Sequence, residues 1–135
     1  MGFKIKPSYN LNQTPIYRTL DQEGILGVAN DAGTIRLHKD LTDPAQMQDV
    51  IDHEMVHIDQ FRHDSKDTGN FAYDNESMYF SPKNSAKTII TKRSPAADGN
   101  PQLAQEVEAN DKKLQQKIKK KYNGKWRQES SRGCI

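Results

Sequence analysis

The run His53-Glu54-Met55-Val56-His57 constrains this 135-residue chain more than any other stretch. Residues four apart on an α-helix lie one turn above each other on one face. In a helix, the two imidazoles therefore stand side by side and can share one metal ion, with Glu54 leaning toward the same edge. The flanking residues supply that helix. Thr42-Asp43-Pro44 is a start signal, with Asp43 as N-cap, Pro44 at the first helical position and Gln46 three residues after the cap. Met47, Ile51, Met55 and Ile58 recur at helical spacing, and Val50 and Phe61 widen their stripe. The spacing predicts a helix over 44–62. Its apolar stripe faces a sheet, and its histidine edge opens to a cleft.

The chemistry of the run is that of the H-E-x-x-H zinc hydrolase pattern. Two neutral imidazoles supply borderline-soft nitrogens suited to zinc. Glu54 is left free as general base on a metal-activated water. Such a site needs a third protein ligand and one open position. Glu106 and Glu108 are the candidates, near the start of a second predicted helix that opens at Asn100-Pro101. Leu103, Val107, Leu114, Ile118 and Tyr122 carry that helix to a stop at Asn123-Gly124, and Lys119-Lys120-Lys121 suit its C-terminal dipole. Glu106 and Asn110 are one turn apart, so Glu106 can bind metal while Asn110 reaches a ligand histidine's other nitrogen. Acids this early in a helix are also ordinary dipole partners, a reading open for both carboxylates, and Glu108 is the alternative third ligand.

The remaining elements are short. Phe3-Lys4-Ile5-Lys6 alternates with the period of a strand, and Pro15–Leu20 reads as another. Ile25–Ala29 and Thr34–His38 flank the turn Asn30-Asp31-Ala32-Gly33 and predict a β-hairpin, with Gly27 marking a bulge or a close backbone approach. Residues 63–100 are polar and broken by turn clusters, and only Thr88–Thr91 suggests a strand there. Any oxyanion donor from this segment would be His63, Tyr73, Tyr79 or Arg93, which no spacing rule separates.

These motifs resemble a family. H-E-x-x-H followed by a second helix carrying Glu106-Val107-Glu108-Ala109-Asn110 looks like the gluzincin clan of zinc metallopeptidases, whose third ligand begins a Glu-x-x-Ala-Asp-like motif. Asn110 departs from the aspartate common at that place. With Phe71-Ala72-Tyr73-Asp74 added, the chain is most similar to small HExxH proteins of tailed bacteriophages, described as peptidases or virion proteins. The resemblance covers roughly residues 1–112. It implies an α+β, minimal zincin-like fold: a small antiparallel sheet or hairpin packed on the HExxH helix, plus a second helix with the third ligand. It further implies one zinc per chain held by His53, His57 and Glu106, with Glu54 as general base and Asn110 behind the ligands. The substrate would be a peptide or protein. The alternative is a non-enzymatic virion assembly protein that keeps the metal site, with other virion proteins as partners.

Composition sets the outer bounds. Hydrophobic residues make up 33% of the chain and mean hydropathy is −0.96, so the core is thin and a metal would help to hold it. The expected division is a single domain over 1–124 and a basic, irregular tail over 125–135 that includes the lone Cys134. Nine of the 20 Lys/Arg but only two of the 18 Asp/Glu lie from Asp111 onward. A basic stretch from Lys112 to Arg127, with Tyr122 and Trp126 interleaved, offers nucleic-acid contact, but a solvated helix face accounts for it more simply. No apolar run reaches bilayer length and no signal-peptide core is present, so no membrane contact is expected, and the host cytoplasm or the virion is the expected location.

Overall fold

A computed structural model describes residues 15–122. The predicted strand over 3–6, the stop at 123–124 and the tail, with Cys134, lie outside the described residues. The fold is α+β, with two small sheets and three helices.

The first sheet holds β1 (Ile16–Leu20), β2 (Gly27–Ala29) and β3 (Ile35–His38), in the order β1-β3-β2. The hairpin forms as its turn chemistry predicts. Asn30 accepts the amides of Ala32 and Thr34 on its side chain, and β2 pairs antiparallel with β3 in the register Gly27↔Leu37, Val28↔Arg36, Ala29↔Ile35. Strand β1 instead pairs parallel with β3, so this sheet is mixed. Ile16, Ile35 and Leu37 point inward from it and are buried.

Helix α1 (Pro44–Phe61) carries the HExxH run. Asp43 caps it, accepting the Gln46 amide at 3.2 Å, and Pro44 occupies the first turn. Ile51, Met55, Val56 and Ile58 pack with the inward residues of the first sheet and with Ala109, Ile118 and Tyr122. Met47 and Val50 lie partly buried at that core's margin, whereas Phe61 belongs to a second, smaller core.

That second core comes from a segment the sequence leaves irregular. Residues 63–100 contain a complete antiparallel sheet, β4 (Asn70–Tyr73), β5 (Ser77–Ser81) and β6 (Ile89–Lys92), in the order β4-β5-β6. Only β6 is anticipated by the sequence. Phe71, Met78 and Phe80 project toward Phe61, with the Phe61 and Phe71 rings stacked at 5.1 Å.

The second predicted helix is also revised. It is two helices, α2 (Ala104–Ala109) and α3 (Lys112–Tyr122), broken at Asn110-Asp111. Asp111 Oδ1 accepts the amides of Lys113 and Leu114, a fresh capping contact that starts α3. The start is displaced too. Asn100-Pro101 opens a turn, and α2 begins after Leu103 without a side-chain cap. Among the described residues, no helix is long and apolar enough to cross a membrane.

Candidate metal centre

His53 and His57 lie on one face of α1, their rings edge to face with centroids 5.0 Å apart. Helix α2 crosses this face and delivers one carboxylate between them. Glu106 Oε1 stands 3.0 Å from His53 Nε2, and Glu106 Oε2 stands 3.1 Å from His57 Nε2. Ligand atoms of these three residues all lie within 4.8 Å of one another. Tetrahedral zinc with bonds of about 2.0–2.1 Å needs ligand atoms about 3.3 Å apart, so each imidazole–carboxylate distance is near that value and the three groups would have to draw together around an ion. The donor set fits a divalent borderline metal: two imidazole nitrogens and one carboxylate, with His57 and Glu106 only 5% and 9% exposed. The His53 side chain is 23% exposed, so the cluster opens to solvent on that side.

The far ring nitrogens are held as well. His53 Nδ1 meets Asn110 Oδ1 at 2.9 Å, and His57 Nδ1 meets Gln60 Oε1 at 2.8 Å. Asn110 therefore sits behind a candidate ligand although it is not an aspartate. The break between α2 and α3 places it there, as C-cap of α2 one turn after Glu106.

Glu108 stands elsewhere. Its carboxylate accepts from Gln60 Nε2 at 2.7 Å and from the Gly69 amide at 3.0 Å. Of the two candidate third ligands, the structure brings Glu106 to the imidazoles and turns Glu108 away. Gln60 is the residue that sequence reasoning missed. No spacing rule selects a glutamine, and its only signal is its place three residues past His57, on the histidine face of the helix.

Glu54 is buried beside the cluster, and the backbone of Ala29 in β2 lies toward its carboxylate. Burial pushes the Glu54 carboxyl above its usual range, with Glu106 adding to the rise; His57, His53 and the Ala29 amide offset part of it. Burial pulls the His57 imidazole down, but Glu106, Glu54 and Gln60 outweigh it and raise it to about 9. Burial also pushes Glu106 up, yet the two imidazoles outweigh that and hold it at about 2.

The oxyanion candidates lie away from this cluster in their contacts. Tyr79 donates to Asp74, and Arg93 is tied to Asp98 and the Asp74 carbonyl while lying over the Tyr73 ring. Tyr73 packs edge-on against Phe61, and His63 is exposed beyond the end of α1, at φ 65°. The basic helix is also partly committed within the chain. Lys117 pairs with Asp67, Lys119 with Asp52, and Lys121 with Asp59 and Asp67. Tyr122 is fully buried and has no face on which a base could stack.

Comparison with protein families, with curated proteins and with solved structures found no match.

Proposed function

We propose that this protein is a zinc-dependent hydrolase acting on peptide bonds, with His53, His57 and Glu106 as ligands and Glu54 as general base. The observation that carries this reading is the convergence of both HExxH imidazoles on one carboxylate from α2, with a buried, unligated glutamate beside them. Bound zinc would polarise the scissile carbonyl and make a water acidic enough to lose a proton near neutral pH. Glu54 takes that proton. A carboxyl raised by burial holds it more readily than an exposed one and can pass it to the leaving amine.

Strand β2 supports a peptide as substrate. Among the described residues it is an edge strand, and the backbone groups of Leu26 and Asn30 serve its pairing with β3. Those of Gly27 and Ala29 therefore turn to the free edge, where Ala29 already lies toward Glu54. An extended peptide adding along this edge would run past the general base. The resemblance to phage-encoded HExxH proteins adds the host cytoplasm or the virion as the place of action.

Metal analysis of purified protein should find about one zinc per chain. Glu106→Ala should lose zinc, while Glu54→Gln should keep it and lose cleavage of a peptide library. A wild-type protein that binds no zinc overturns the reading. One that binds zinc but cleaves nothing would instead be an assembly protein with a structural metal site.

A further inference from the structure

Gln60 is fully buried one turn beyond His57, and its amide makes three contacts. Nε2 donates to the Gln105 carbonyl at 3.2 Å and to Glu108 Oε1 at 2.7 Å. Oε1 lies 2.8 Å from His57 Nδ1. Both partners of Nε2 are pure acceptors, so a flipped amide would set oxygen against two oxygens. The orientation is thereby decided: Oε1 faces the ring, and His57 Nδ1 must be the donor. His57 Nε2 is then the nitrogen directed at the cluster with Glu106.

Glu108 is in turn held in place. Its Oε1 also accepts the Gly69 amide at 3.0 Å. Gly69 runs so close to β5 that a Cβ there would meet the Ser81 carbonyl at 2.5 Å and the Phe80 ring at 2.6 Å. The backbone at the entrance to β4 thus fixes Glu108, Glu108 fixes Gln60, and Gln60 fixes the ring. His53 is oriented differently, through a single direct contact to Asn110.

We infer that Glu108 and Gln60 form a relay that sets the tautomer and ring orientation of His57, making both positioning residues for the metal centre. The inference rests on the metal reading above. It assigns Glu108 a role in metal binding without contact to the metal. It also couples the second sheet to the site through Gly69. Partners behind a ligand histidine typically change metal affinity by about 10–100-fold when removed.

Zinc affinity, measured by competition with a chromophoric chelator, tests this in four proteins: wild type, Glu108→Ala, Gln60→Glu, and Gln60→Glu with Glu108→Gln. Glu108→Ala should weaken zinc binding by about 10-fold or more. Gln60→Glu alone sets two carboxylates together and should lose stability. In the double variant, the residue 60 carboxylate accepts from His57 and the residue 108 amide donates back to it. That reversed relay should regain much of the affinity that Gln60→Glu alone loses, the residue 60 carboxylate still facing the Gln105 carbonyl. Urea unfolding of the same proteins separates the relay from a mere staple between helices. A staple would lower stability in Glu108→Ala and leave zinc affinity of the folded protein unchanged, which overturns the inference while the metal reading stands. A double variant that binds zinc no better than Gln60→Glu alone overturns it too. Wild type without zinc affinity removes both.

Discussion

Tyr122 donates its hydroxyl to the Asp59 carboxylate across 2.7 Å, and neither side chain reaches solvent. The contact joins the last turn of α3 to α1, two residues past His57. Ser65, Thr68 and Lys121 also donate to this carboxylate, and Arg62 donates to the tyrosine oxygen at 2.8 Å. Tyr122→Phe keeps the ring and its packing but removes the hydroxyl, leaving a buried carboxylate and a guanidinium each short of a partner. The expected loss is about 1–3 kcal/mol in urea unfolding. An unchanged midpoint would show that the contact carries no weight.

The same carboxylate gives the fold an acid limit. Burial pushes Asp59 up, but Ser65, Tyr122 and Lys121 outweigh it and hold it below the ordinary range. A folded value below the unfolded one means the stabilisation is complete above the unfolded value, about 3.9. It is lost as pH falls through the lower folded value. Asp59→Asn should therefore be less stable than wild type near neutrality, and the gap should close in acid. A gap of constant size from neutral to strongly acidic pH would rule out this account.

Helix α1 was legible because its signals are local: a cap, a first-turn proline and a recurring stripe over five turns. Glu106 was legible only as one of two, since residues two apart on a short helix differ in direction, and direction depends on how α2 crosses α1. Of the second sheet only β6 was anticipated, because its strands are four or five residues long and set in polar sequence. The alternation of Met78 and Phe80 with Ser77, Tyr79 and Ser81 was nevertheless there to read. The break at Asn110-Asp111 was hidden by an apolar period that continues across it from Leu103 to Tyr122. Asp111 was its one signal. Gln60 had little more than its place three residues past His57, because a neutral amide becomes informative only when its partners are known.

Zinc binding should be linked to protons. Burial pulls His57 down, but Glu106, Glu54 and Gln60 outweigh it and raise it to about 9, so at neutral pH the ring holds a proton that a metal must displace. Glu106, held at about 2, has none to lose. Affinity should therefore rise with pH through the neutral range and level off near the raised value. Calorimetric titration of zinc in two buffers of different ionisation enthalpy should report proton release near neutrality. Equal heats in both buffers would mean that His57 is already neutral and that its pairing with Glu106 is not as described.

Gly27 sets how closely β2 approaches Glu54. A Cβ at this position would lie 2.5 Å from Val50 Cγ1 and 3.5 Å from Glu54 Cγ. Gly27→Ala must therefore push β2 away from α1 or displace Val50, at a cost of about 1–3 kcal/mol. Moving β2 also moves the Ala29 backbone away from the Glu54 carboxylate, so the effect should reach the general base without touching the ligands. Zinc affinity should stay within a few-fold of wild type while peptide cleavage falls. Val50→Ala removes the atom in the way and should return both stability and cleavage toward wild type in the double variant. If Gly27→Ala lowers zinc affinity as much as cleavage, β2 supports the metal ligands rather than the base. If Val50→Ala does not rescue it, the close approach of strand to helix is not what the glycine serves.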